Sequence, residues 1–226
     1  MGFLVYFAII IAVPLLIQMY LKRTYAKYLK VGASSGLTGA QAARKVLHEN
    51  GLFDVSIEEV RGKLSDHYDP RAKAVRLSSD NYHGTSIAAI SVAIHEVGHA
   101  IQDQLDYAPL RFRHTLVPVA NIGSNFSFIL IIAGILLTQP SLLLLGIFAM
   151  AAAVLFQVVT LPVEFNASSR ALSAMISSGL IRNEEEGGAR KVLNAAALTY
   201  VAATVIAVAE LLRFILMYVG MSNNDD

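Results

Sequence analysis

Ser86 to Gln102 reads S-I-A-A-I-S-V-A-I-H-E-V-G-H-A-I-Q, and its reading decides the fold around it. The run Ile87 to Ile94 is apolar, rich in alanine and β-branched residues, as a buried helix is. On such a helix His95 and His99 lie one turn apart on one face, with Glu96 beside the first. Two neutral imidazoles so placed can supply two of the three protein ligands of a catalytic zinc ion, and the glutamate can take a proton from water. The competing reading, a plain polar helix face, fits poorly because the preceding turns are apolar.

Composition bounds the rest. The chain has 226 residues, 55% of them hydrophobic and 15% charged, with a mean hydropathy of +0.53, which is too apolar for an ordinary soluble domain. A multi-span membrane protein follows. A net charge of +1 gives no sign of a nucleic-acid partner. With no cysteine there are no disulfides, thiolate metal sites or cysteine nucleophiles, so any metal must be held by His, Asp or Glu.

Outward from the motif, four apolar stretches are each long enough to cross a bilayer. Gly2 to Leu21, broken only by Pro14 and Gln18, is followed by Lys22, Arg23, Lys27 and Lys30. Basic residues after the apolar core, and no small-x-small cleavage site, favour an uncleaved anchor with its N-terminus outside over a signal peptide. Leu116 to Leu137 and Ser141 to Leu161 form a helical hairpin around Thr138-Gln139-Pro140, and Asn121, Ser124, Asn125 and Ser127 should face protein or water. The last span runs from about Ala195 to Val219, before an acidic tail, Ser222 to Asp226.

The expected organisation is therefore an anchor over 1–21, a polar segment with the motif helix over 22–115, the membrane hairpin over 116–161, a second polar segment over 162–194 and a final span and tail over 195–226. Within the first polar segment, an amphipathic helix is expected from Gly39 to Asn50, stopped by Gly51. Strand-like runs flanking Asp69-Pro70 predict a β-hairpin whose edge could pair with an extended peptide. Glu184 to Glu186 with Gly187 and Gly188 reads as a solvated loop. Of 18 Lys and Arg, 13 lie between residues 22 and 113, four between 170 and 191, and one is Arg213. The positive-inside rule then puts both polar segments, and the motif, on the cytoplasmic side.

A third metal ligand is required. A long metzincin motif would need glycine at position 102 and histidine at 105, where the chain has Gln102 and Leu105. An L-D-G aspartate of the intramembrane type is not supplied by Leu105-Asp106-Tyr107, which also lies too close to the motif. Glu164 follows the third span on the cytoplasmic side, after Pro162, which is expected to break or kink the helix there. Asp103, Asp106 and Glu184 compete with it on residue chemistry alone.

The strings D-H-Y-D-P-R, V-R-L-S, A-I-H-E-V-G-H-A-I-Q-D, T-L-P-V-E-F-N-A-S and A-A-A-L-T-Y-V-A-A resemble the YugP-type neutral zinc metallopeptidases of bacterial membranes, over about Thr38 to Leu212. The resemblance implies a zinc metalloendopeptidase of the bacterial cytoplasmic membrane that binds one zinc ion and takes a protein or peptide substrate, with His95 and His99 as ligands and Glu96 as general base. The run Glu164 to Ser168 is similar to the E-F-x-A-D helix of the HtpX and CAAX-prenyl protease group, which implies Glu164 as third ligand. Two letters depart: Ser168 stands where that group has aspartate, and Asn166 where YugP relatives commonly have it. A hydroxyl or amide can hydrogen-bond a ligand imidazole but adds no charge to it.

The fold class expected is thus a mainly α membrane protein, with about four transmembrane helices and a small cytoplasmic zincin-like α+β portion carrying the motif helix. Tyr82, His83, Arg170 and Tyr200 are open as oxyanion donors, while His48, His67 and His114 read as surface or structural residues. Glu210 and Arg213, three residues apart in the last span, read as a structural ion pair. Two other classes compete. A metal-binding pseudopeptidase acting as a scaffold would have lost a catalytic residue, yet all three are present; a transporter or channel would carry more charge inside its spans.

Overall fold

A computed structural model describes residues 2–222; the acidic tail expected over 222–226 therefore lies almost wholly outside the described residues. The chain is mostly helical with one small sheet, and four helices are long and apolar enough to cross a membrane. It divides into two compact units, residues 1–107 with 163–199, and residues 108–162 with 200–226.

The first unit opens with α1, Gly2–Tyr28, which carries the apolar N-terminal stretch and the basic residues after it as far as Lys27. Helix α2, Gly39–Glu49, starts at a capping box: Thr38 Oγ1 accepts from Gln41 N at 3.2 Å, and Gln41 Oε1 accepts from Thr38 N at 2.9 Å. Its apolar face, Ala42, Ala43, Val46 and Leu47, is fully buried. The expected hairpin is present as β2, His67–Asp69, antiparallel to β3, Ala74–Ser78. A further strand, β1, Ser56–Val60, pairs in parallel with β3, giving the order β1-β3-β2. A short helix, α3, Ser79–Tyr82, leads to α4, Ile87–Gln104, whose first turn is capped by Ser86 Oγ accepting from Ala89 N at 3.1 Å.

Burial explains the composition of α4. Ile87, Ile90, Ala93, Ile94, Val97, Ala100 and Ile101 join one core with α2, the sheet and residues 171–193. The helix is therefore held on several sides, and its polar face has a fixed direction.

The second unit opens with α5, Ala108–Leu136, and continues into α6, Pro140–Ser177, through the uncharged turn at residues 137–139. The motif helix α4 ends at Gln104, and Pro109 sits in the first turn of α5, where its missing N–H costs nothing. The hairpin arms meet closely: a Cβ on Gly134 would lie 2.7 Å from Leu143 Cα and 2.9 Å from its Cβ. Ile131, Leu143 and Ile147 form a buried cluster that includes partly buried Leu211, Phe214 and Met217 of α7, Asn183–Ser222.

Two expectations are corrected. Of the break or kink expected at Pro162, the break does not occur: helix α6 runs through the proline, and the residues after it continue the same helix. Glu184 to Glu186 are the first turn of α7 rather than a loop. Three carboxylates complement the helix N-terminus there, and Glu185 also accepts from Arg182 N at 2.7 Å and from Ser34 N and Oγ at 2.8 and 2.7 Å. Glu210 and Arg213 are paired, Nη2 to Oε2 at 2.7 Å, with the guanidinium over the Phe214 ring.

Candidate metal centre

His95, Glu96 and His99 lie on α4, and Glu164 lies on the part of α6 that belongs to the same unit. Sixty-nine residues separate His95 from Glu164 in the chain, yet His95 Nε2 stands 3.3 Å from Glu164 Oε2. His99 Nε2 stands 3.7 Å from the same oxygen. Among the described residues, these three form a group whose potential ligand atoms all lie within 4.8 Å of one another. His99 and Glu164 are buried and His95 half-buried.

The close approach of the two helices depends on Gly98. A Cβ there would come 2.8 Å from Ala167 O and 3.3 Å from Ala167 Cα, so a side chain would force α4 and α6 apart. With hydrogen in that place, Glu164 can reach the histidines.

Each imidazole is held by its other nitrogen. His95 Nδ1 faces Ser168 Oγ at 3.2 Å, and His99 Nδ1 faces Gln102 Oε1 at 3.0 Å. Gln102 Nε2 donates to Val163 O at 2.8 Å and to Asn166 Oδ1 at 3.0 Å, and Arg170 Nε donates to the same Asn166 oxygen at 2.7 Å. Sequence reasoning marked Ser168 and Asn166 but passed over Gln102, which it used only to reject a metzincin motif. The signal was available: a glutamine three residues after a candidate ligand on an apolar helix is buried, and a buried amide must find partners.

The donor set suits zinc. Ligand atoms about 2.0–2.1 Å from one tetrahedral ion stand roughly 3.3–3.4 Å apart, near the 3.3 and 3.7 Å separations here. Two imidazole nitrogens and one carboxylate oxygen leave a fourth position open, and both Nε2 atoms are turned to the carboxylate. Glu96, 8% exposed, makes no hydrogen bond or ion pair among the described residues. Burial opposes a charged His99, but the neighbouring Glu164 and Glu96 carboxylates outweigh it and hold its pKa above the ordinary value.

Among the described residues, the metal-ligating group includes none of Asp103, Asp106 and Glu184. Asp103 accepts from Tyr68 Oη at 3.0 Å, Asp106 lies past the end of α4 with φ of 49°, and Glu184 is in the first turn of α7. His83 Nε2 faces Glu59 at 3.0 Å, Tyr82 packs on the core, and Tyr200 belongs to the second unit. Exposed His67 is bonded to Ser65 O, and exposed His48 lies against the Phe53 ring.

Four helices able to cross a membrane and a buried to half-buried His-His-Glu group able to hold a metal define the class: a membrane protein with a candidate metal centre. The chain belongs to the family described as "Putative neutral zinc metallopeptidase", whose model matches residues 3–219. It is 54% identical over 203 residues, 90% of this chain and 90% of the relative, to the Bacillus subtilis (strain 168) protein named "Putative membrane protease YugP". No solved structure matches the chain.

Proposed function

We propose that the protein is a membrane-bound zinc metallopeptidase in which His95, His99 and Glu164 hold one zinc ion and Glu96 is the general base. The observation that carries this reading is the meeting of three buried or half-buried ligand side chains from two helices, in a family described as zinc metallopeptidases. A bound zinc ion would supply a Lewis acid, acidifying water and polarising a peptide carbonyl.

The chain's own residues do the rest. Glu96, whose carboxylate is not committed to a neighbour among the described residues, accepts a proton from the attacking water and returns it to the leaving amine. The hydrogen bonds at Nδ1 of His95 and His99 keep the opposite nitrogens turned toward Glu164. Burial of Glu164 keeps bulk water from competing for its carboxylate.

The substrate is a protein or peptide. The host is a bacterial cytoplasmic membrane, crossed several times, with the segments 22–115 and 162–194 and hence the site on the cytoplasmic side; the distribution of Lys and Arg supports this orientation. Detergent-purified protein should hydrolyse an unstructured protein such as casein, lose that activity to a chelator and regain it with zinc. Glu96→Gln should lower the rate at least ~100-fold; a variant as active as wild type overturns the assignment of the base.

A further inference from the structure

Gln102 is fully buried, and its side-chain oxygen faces His99 Nδ1. Its surroundings, from Arg170 inward, fix which way its amide points. A guanidinium can only donate, so the Asn166 atom 2.7 Å from Arg170 Nε is the carbonyl oxygen. The Gln102 group 3.0 Å from that oxygen also lies 2.8 Å from the Val163 carbonyl oxygen. Both of these partners can only accept, so the group is the NH₂ and both its hydrogens are used. The reversed amide would set oxygen against oxygen twice.

Gln102 Oε1 then faces His99 Nδ1 at 3.0 Å as an acceptor, and Nδ1 must carry a hydrogen. In the neutral ring the lone pair is left on Nε2, the atom 3.7 Å from Glu164 Oε2. We infer that Arg170, Asn166 and Gln102 form a hydrogen-bond relay of fixed polarity, in which Arg170 and Gln102 both donate to Asn166 Oδ1, that fixes His99 in its Nδ1–H tautomer and so presets Nε2 as a metal ligand. The inference rests on the metal-centre reading for its purpose, but not for its direction.

His95 shows the contrast. Its Nδ1 faces a serine hydroxyl, which donates or accepts equally well and dictates no tautomer. The relay also joins the two helices, because Val163 precedes Glu164 on α6 while Gln102 follows His99 on α4. Gln102, Asn166 and Arg170 are thus positioning residues for His99.

The test uses the full chain in detergent, ¹⁵N-histidine-labelled and metal-free, with His99 assigned by comparison with His99→Gln. Nitrogen shifts report the tautomer, and chelator competition with zinc reports affinity. Wild type should show His99 as Nδ1–H. Gln102→Leu should show mixed tautomers and bind zinc about 10–100-fold more weakly, and Asn166→Leu and Arg170→Met should move both readouts the same way. Asn166→Asp keeps the acceptor that both relay bonds use, and should retain the wild-type tautomer and affinity. If Gln102→Leu does not fold, the two Asn166 variants decide. An Nε2–H tautomer in wild type, or Asn166→Asp behaving like Asn166→Leu, overturns the relay. The Nδ1–H tautomer in a chain that binds no zinc upholds the relay and overturns the metal-centre reading instead.

Discussion

Gly98 shows how much one residue decides. It stands between His95 and His99, and Ala167 backbone occupies the space where its side chain would be. Gly98→Ala should destabilise the protein by about 1–3 kcal/mol through overpacking, and should weaken zinc binding by displacing Glu164 from the histidines. Thermal unfolding and chelator competition measure the two effects; a variant unchanged in both would mean that the helices do not meet at this point. In the sequence, Gly98 was one letter of a motif whose fixed positions are its neighbours. What made it necessary was the partner at Ala167, and single-chain patterns do not reveal partners. Gln102 was equally hidden, since its role depends on Val163 and Asn166 some sixty positions away.

Among the elements, those with a local signature were legible. Helix α2 shows an apolar stripe stopped by Gly51, the β2-β3 hairpin shows a turn signal, and α4 shows an apolar run leading into the motif. Strand β1 was missed because S-I-E-E-V does not alternate cleanly, and its pairing is parallel with a strand 14 or more residues away. The start of α7 was misread because the polar residues Glu184 to Glu186, which look like loop, form the first turn of a helix whose N-terminus their carboxylates complement. The sheet itself is tied by Arg76 of central β3, which reaches Glu58 of β1 at 2.9 Å and Asp69 of β2 at 2.6 Å. Glu58 is held below its ordinary pKa by Arg76 and then Ser56, and Asp69 by the Ala72 N–H and then Arg76. A carboxylate lowered on folding stabilises fully above its unfolded value, near 3.8 for Asp69 and 4.5 for Glu58, and loses that contribution as pH falls through its lowered value. Arg76→Met should therefore lower the melting temperature modestly at neutral pH and flatten its fall between about pH 5 and pH 3. A variant with the wild-type slope would show that the guanidinium does not stabilise these carboxylates.

For the whole molecule, composition alone marked a membrane protein, and the four apolar helices agree. Orientation rests on charge asymmetry, and the absence of cysteine makes it directly measurable. Single cysteines at exposed Lys63 and exposed Gln139 should behave oppositely toward a membrane-impermeant maleimide. Gln139→Cys should label in intact cells, and Lys63→Cys only after permeabilisation; the reverse pattern would put the site outside.

The central claim is that Glu164 completes a zinc site which Glu96 then uses, and metal stoichiometry on purified protein tests it most directly. Wild type and Glu96→Gln should each hold one zinc per chain, with hydrolysis lost only in the latter, while Glu164→Ala should hold little or none and be inactive. Full zinc occupancy in Glu164→Ala would contradict the account, and zinc-loaded wild type that cleaves no protein or peptide would favour a scaffold over an enzyme.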